Sequence, residues 1–332
     1  MKIKFIHDFE SITSVDNLLE AWGEFVRGKK RKKDVQEFYA NLMDNVFLLH
    51  EDLRNHTYKH GKYQAFNICD PKPRNIHKAS VRDRLLHHAI YRRLYPFFAQ
   101  TFIADSFSCQ LGKGSHRALD RFRLFAHKTS GNYTRTCWIL KCDIKKFFAN
   151  INHNVLIKIL KEYISDREII WLVEEIIGSF NSGRSGVGLP LGNLTSQLFV
   201  NVYMNEFDQF IKHKLKAEYY VRYADDFVIL STDKIWLEDI VLSIKKFLLE
   251  ELKLELHPDK VFIKTLASGV DFLGWVHFSD HKVLRTTTRR RMIKRLAVQN
   301  NEPTINSYLG LLSHGNTHRL LAKIFPQNKT PA

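Results

Sequence analysis

Apolar residues recur at helical spacing through much of the chain. Leu18, Leu19, Trp22, Phe25 and Val26 mark one stripe, and Phe38, Leu42, Val46 and Leu49 another, so residues 13–56 read as helices. Residues 82–99 read as a basic helix and 155–180 as mostly helical. The strongest pattern is 194–215, with Leu198 and Val202 on one line and Phe199, Tyr203, Phe207 and Phe210 on an adjoining one. Residues 236–252 and 305–324 complete the helical set. Shorter apolar runs lie between. Residues 63–68 read as a strand, and Asp70-Pro71-Lys72-Pro73-Arg74 then forces an extended or turned backbone. Residues 137–142 form an apolar strand ending on Asp143. The segment 182–192, with four glycines and a proline, is a loop. Residues 219–232 read as two strands about a tight turn at Ala224-Asp225-Asp226, and 272–276 opens a further strand pair. This irregular mixture predicts an α+β fold with a largely antiparallel sheet, without internal repeats.

The chain has 332 residues, 44% of them apolar, enough for one large or two to three small domains. Its formal charge of +16 and isoelectric point near 9.6 call for a polyanionic partner. Nucleic acid is favoured over a membrane, because no apolar run approaches the ~20 residues a spanning helix needs. Residues 1–10 are short and mixed in charge, unlike a secretory signal, so a cytoplasmic location is expected. The four cysteines have no zinc or redox spacing and are expected as reduced thiols. Sixteen histidines are scattered and expected mostly at the surface or facing nucleic acid. The basic run Arg27-Gly28-Lys29-Lys30-Arg31-Lys32-Lys33 is either a solvated linker or a phosphate contact.

Candidate chemistry lies in three acids. Asp225 and Asp226 interrupt apolar strand-formers, and Asp143 ends an apolar strand. An Asp pair in a turn is by itself ordinary turn chemistry. If the strands are neighbours, however, three carboxylates converge. Two unit charges ~4 Å apart repel by about 4 kcal/mol at an effective dielectric of 20, so such a group protonates or recruits cations. Oxygen ligands without nearby His or Cys suit Mg²⁺ or Mn²⁺. Two such ions about 3.5–4 Å apart serve phosphoryl chemistry.

Five segments in order resemble the reverse transcriptase family, across roughly residues 60–320. Asp143-Ile144-Lys145-Lys146-Phe147-Phe148 resembles its first catalytic motif, and Tyr223-Ala224-Asp225-Asp226 its Y-x-D-D motif. Leu191-Gly192-Asn193-Leu194-Thr195-Ser196-Gln197 resembles the template and nucleotide motif. Leu254-Glu255-Leu256-His257-Pro258-Asp259-Lys260 is similar to L-x-L-x-x-x-K, and Phe272-Leu273-Gly274-Trp275 to the primer-grip hairpin. The resemblance implies a right-hand polymerase with an antiparallel palm sheet. It divides into a helical N-terminal extension (1–60), fingers (61–135), a palm with inserted fingers elements (136–284) and a thumb (285–332).

It implies metal binding by Asp143, Asp225, Asp226 and the Ile144 carbonyl, and triphosphate contacts from Lys72 and Arg74. Arg82 and Arg84 are weaker candidates for phosphate. Phe148 would exclude a ribose 2′-OH while Phe147 packs in the core. Gly192 and Gln197 would flank the nascent pair, and Lys260 the leaving group. Residues 282–295 carry seven Lys or Arg and no acid. Arg285, Arg289, Arg290, Arg291, Lys294 and Arg295 would clamp the duplex backbone. Ser313-His314-Gly315-Asn316 resembles the thumb turn of compact bacterial members.

Within the family, Leu191 and Gln197 resemble diversity-generating retroelement enzymes; group II intron enzymes usually carry Gln and Pro there. Arg82-Asp83-Arg84-Leu85-Leu86-His87-His88-Ala89 and Gly112-Lys113-Gly114-Ser115-His116 also fit that branch, whereas Ala224 replaces its usual Met. The resemblance implies a structured template RNA, a DNA primer, dNTPs, error at adenines and a small basic, commonly pentameric accessory protein. A shift of about 1.4 kcal/mol beside the nascent pair would change discrimination tenfold. Retron-type and antiphage-defence enzymes share this chemistry. A metal-dependent nuclease and a degenerate nucleic-acid-binding polymerase fold are the alternatives from other classes.

Overall fold

The structure, a computed structural model, describes residues 2–69, 73–299 and 301–324. Helices α1 (Phe9–Thr13), α2 (Val15–Phe25), α3 (Lys33–Ala40) and α4 (Leu42–Arg54) come first. Asp8 and Ser14 cap α1 and α2 by accepting from Ser11 and Asn17 N–H groups. Of the stripe read from sequence, Leu18, Trp22 and Phe25 are buried, together with Ala21, while Leu19 and Val26 are partly buried. Strands β1 (Gln64–Ile68) and β2 (Arg74–Lys78) form an antiparallel hairpin, Gln64 opposite Lys78 and Ile68 opposite Arg74. Helix α5 (Val81–Ala99), capped by Ser80, packs against α1 and α2. Helix α6 (Ser115–Thr129) follows, burying Ala118, Leu119, Phe122, Phe125 and Ala126.

The central sheet is built from β3 (Trp138–Asp143), β4 (Tyr219–Tyr223), β5 (Asp226–Ser231) and β6 (Phe262–Thr265) in the order β4-β5-β3-β6. Every neighbouring pair in it is antiparallel, as predicted. Between β3 and β4 come α7 (Phe147–Asn150), α8 (His153–Tyr163), α9 (Arg167–Gly178) and α10 (Leu194–Gln209). Helix α10 ends in a π turn, Phe210–Lys214, and α11 (Lys234–Glu250) connects β5 to β6. A second sheet follows, of β7 (Val270–Phe272), β8 (Trp275–His277) and β9 (Lys282–Leu284). Helices α12 (Thr286–Val298), α13 (Glu302–Leu312) and α14 (His318–Ile324) end the described chain.

Period-two alternation divides the central sheet between two cores. Leu140, Cys142, Tyr220, Phe227 and Ile229 face the first, shared with α2, α5, α8, α10 and α11. Ile139, Val221, Val228 and Leu230 face the second, shared with α6, Phe272, Trp275, Met292 and Leu296. Both faces are therefore covered, and the acids singled out from sequence lie at the end of the sheet where β3 stops and β5 starts. All four cysteines are free thiols. Among the described residues no helix is long and apolar enough to cross a membrane.

Candidate active site

Antiparallel pairing makes Asp143, the last residue of β3, the register partner of Asp226, the first of β5. Tyr223 also pairs with Asp226, so Ala224 and Asp225 form a two-residue hairpin loop. Ala224 adopts φ +56°, the positive value a tight hairpin needs at its first loop position. The Ile144 N–H donates to the Asp225 carbonyl at 3.0 Å, fastening the turn to the end of β3. Asp143 and the distant pair Asp225-Asp226 thus share one end of the sheet.

Their surroundings make charge expensive. Burial, with Lys141 opposing, pushes the Asp226 carboxyl from the ordinary 3.8 up to about 7. Its Oδ1 is buried and has no hydrogen-bond partner. Asp225 is raised too, by burial first and then by the charge of Asp143, with Lys260 and Arg74 pulling the other way. Lys260, from a 3₁₀ turn Pro258–Lys260, donates to Asp143 Oδ1 at 2.9 Å. Lys141 lies 3.3 Å from Asp226 Oδ2 and donates to the Asp271 carbonyl at 2.6 Å. Among the described residues no three His, Cys, Asp or Glu side chains are grouped closely enough to hold a metal ion as they stand. The donor set nevertheless fits a hard divalent cation: acceptor-only oxygens, one of them orphaned, with carboxyls whose charge is under-compensated.

Phe147 is buried, and Phe148 is partly exposed with its ring edge-on to Phe147 at 5.5 Å. Of the two phenylalanines, Phe147 is the more deeply buried. Gly192 has φ +105°, and a Cβ there would stand 3.0 Å from Ile76 Cγ2. His77 N–H donates to the Leu191 carbonyl and Asn193 Nδ2 to the His77 carbonyl, joining the β1–β2 hairpin to this loop. Gln197 lines a cavity of about 430 Å³ with Phe66, Ile76, Leu194 and the basic Lys78 and Arg84. Arg74 is exposed at the start of β2; Lys72 lies outside the described residues. Arg84 pairs with Asp34 at 2.6 Å and Arg82 with Asp52 at 2.5 Å, which ties both to the N-terminal helices.

The segment Phe272-Leu273-Gly274-Trp275, which resembles the primer grip, divides. Phe272 and Trp275 are buried in the second core, and Leu273 (φ +48°) and Gly274 (φ +88°) form the tip. Arg285 N–H donates to the Gly274 carbonyl at 3.1 Å, and its guanidinium pairs with Asp271. On α12, Met292 and Leu296 turn inward while Arg289, Arg290, Arg291, Lys294 and Arg295 are exposed. Most histidines are exposed or partly exposed, but His87, His153 and His277 are buried. Sequence reasoning also passed over Lys141, Asp208 and Arg222, which are buried as well. The available signal was a cation inside each of two apolar strands.

Residues 59–277 match the family described as reverse transcriptase (RNA-dependent DNA polymerase). The chain belongs to this family. It is 26% identical over 249 residues to protein YkfC of Escherichia coli (strain K12), covering 63% of each chain. It is 23% identical over 290 residues to the group II intron-encoded protein LtrA of Lactococcus lactis subsp. cremoris, covering 66% of this chain and 46% of LtrA. The chain therefore spans less than two thirds of the length of these relatives. Apo telomerase from Candida tropicalis, truncated from its C-terminal domain, superposes with a TM-score of 0.52 at 14% identity, over 69% of this chain and 55% of that one. That likeness is one of fold, and with the family match it gives the α+β right-hand polymerase architecture.

Proposed function

We propose that the chain is an RNA-directed DNA polymerase that extends a DNA primer on an RNA template with dNTPs. The observation that carries this is the register of Asp143 on Asp226 with Asp225 in the adjoining turn. Asp143, Asp225 and Asp226, with the Ile144 carbonyl, would hold two Mg²⁺ or Mn²⁺ ions. Bound there, such ions supply charge that favours ionisation of the primer 3′-hydroxyl and stabilises the phosphate oxygens. Arg74, at the start of β2, would grip the triphosphate together with Lys72. The partly buried Phe148 ring would exclude a 2′-hydroxyl. Gly192 and Gln197 border the nascent pair, whereas Leu273 and Gly274 meet the primer. Lys260, released from Asp143, stands near the leaving pyrophosphate. Arg285 through Arg295 on the thumb side hold the duplex by its phosphates. The domain division is 1–60 extension, 61–135 fingers, 136–284 palm and 285–332 thumb.

The finer reading is the error-prone enzyme of a diversity-generating retroelement, acting with a structured RNA and a small basic accessory protein in the cytoplasm. Leu191 and Gln197 support it. The likeness to LtrA supports a second reading, an intron-type enzyme. A template and variable repeat pair beside the gene decides for the first, and its absence from a complete genome decides against it. Primer extension on a defined RNA tests the class. Asp225→Asn is expected to abolish extension while RNA binding persists; undiminished extension would remove the acids from this role, and hydrolysis without extension would favour a nuclease.

A further inference from the structure

The turn that carries Asp225 is held from behind by a buried arginine. Arg222 is 1% exposed and Asp208, near the end of α10, is 0% exposed. Arg222 Nε donates to Asp208 Oδ1 at 2.7 Å and Nη2 to Oδ2 at 2.5 Å, a two-pronged match of guanidinium to carboxylate. Tyr220 O–H donates to the same Oδ1 at 2.8 Å. The remaining donors reach outward: Nη2 to Ser106 Oγ at 3.0 Å and Nη1 to the Ala224 carbonyl at 3.1 Å. One guanidinium thus spans from helix α10 to the turn.

The segment beside it is equally fixed. Arg222 N–H donates to the Asp105 carbonyl and Phe107 N–H to the Arg222 carbonyl, each at 3.0 Å. Arg121 pairs with Asp105 at 2.6 Å, and Lys113 Nζ donates to the carbonyls of Ile103, Ala104 and Ser106. A buried ion pair is a poor source of stability compared with apolar packing, which Phe227, the register partner of Arg222, supplies on the same face of the sheet. Its presence here therefore calls for a positional reason. Ala224 supplies one: a non-glycine residue at φ +56° persists only when its surroundings over-determine it, and its carbonyl is what Arg222 holds.

We propose that Arg222, anchored on Asp208, is a positioning residue of the polymerase site, fixing the Ala224 carbonyl and thereby the aim of the Asp225 and Asp226 carboxylates. The proposal rests on the polymerase reading above. A lysine ammonium cannot serve Asp208, Ser106 and the Ala224 carbonyl together. Arg222→Lys and Asp208→Asn should each lower kcat per active site about 100-fold, the loss that accompanies a displacement of about 1 Å at a reacting centre. The dNTP KM and primer–template affinity should stay within about twofold of wild type. Hydrogen exchange gives a readout independent of activity. The Ile144 amide, bonded to the Asp225 carbonyl, should exchange faster in Arg222→Lys while amides of α8 and α11 keep their protection.

Ser106→Ala leaves the ion pair intact and removes one acceptor. It should reduce kcat about fivefold and carries the test if Arg222→Lys does not fold. Wild-type kcat in the folded variants, or a loss explained wholly by a smaller burst amplitude, would overturn the proposal. So would unchanged exchange at Ile144. A wild-type protein that extends no primer would refute the polymerase reading instead, and the exchange experiment would still judge the role of Arg222.

Discussion

Asp226→Asn should stabilise the metal-free protein while ending primer extension. Burial is the largest influence on Asp226, and it outweighs Lys141 at 3.3 Å. The carboxyl titrates at about 7 in the folded chain against 3.8 as an ordinary aspartate. The folded state therefore holds the proton more tightly than the unfolded chain, and stability falls as pH rises between those values. Above pH 7 the whole cost of ionising a buried acid is present, and below 3.8 none of it is. Linkage puts that cost at about 2 kcal/mol at pH 5 and about 4 kcal/mol at pH 8. Both are ceilings, because the side chain is still 19% exposed. Asparagine keeps the shape of the protonated acid and never titrates. Lys141 is not orphaned by the change, since the Asp271 carbonyl still accepts from it at 2.6 Å. Urea unfolding in EDTA should show the variant more stable than wild type, by a margin up to about 2.5 kcal/mol wider at pH 8 than at pH 5. Added Mg²⁺ at pH 8 should raise the wild-type midpoint more than the variant's. A margin that does not change with pH, or a variant less stable than wild type at pH 8, would refute the reasoning.

Phe148→Val should raise ribonucleotide incorporation, read as the ratio of kcat/KM for rNTP over dNTP; an unchanged ratio would take Phe148 out of the sugar-selecting role. Replacing Arg289, Arg290 and Lys294 by Gln should flatten the dependence of log Kd for primer–template on log salt by about 2–3, at roughly 0.9 per lost phosphate contact or less. Gly315→Ala should lower stability by about 1–3 kcal/mol in thermal or urea unfolding, because its Cβ would sit 2.0 Å from Cζ3 of Trp275, a ring only 2% exposed.

The helices of the first core were legible because their stripes are long and regular, as Leu18, Trp22 and Phe25 on α2 illustrate. The strand ends at Asp143 and Asp226 were legible for the opposite reason: charge stops an apolar run where the run leaves the core. Helix α6 went unread although Ala118, Leu119, Phe122 and Phe125 have helical spacing, because basic and polar residues surround that stripe. Strand β6 was missed because its four residues are only partly buried or exposed, without clear alternation. Charged pairs such as Arg222 with Asp208 lay beyond reach, since a partner 14 positions away in another element leaves no local pattern. The primer-grip tetrapeptide shows the limit of motif reading. Its sequence marks the hairpin, but only the fold separates buried Phe272 and Trp275 from the tip at Leu273 and Gly274.

The two lysines explain how three acids converge without closing into a ligand cluster. Like charges about 4 Å apart repel by about 4 kcal/mol at an effective dielectric of 20. Here Asp143 and Asp226 each face their own ammonium. The two cations are unequal. Lys141 is 9% exposed and anchored to the Asp271 carbonyl, so it stays when ligands arrive. Lys260 is 42% exposed on a three-residue turn, and an ion pair of that kind is worth roughly 0–1 kcal/mol. On the proposed two-metal reading, Lys260 is the cation that a divalent ion would displace from Asp143, with which it pairs in this structure. Lys260→Met should lower the Mg²⁺ concentration that half-saturates extension by up to about fivefold at low ionic strength. The effect should shrink as salt screens the pair in the wild-type protein. A requirement that is unchanged or higher would show that Lys260 supports the metal site instead of competing with it.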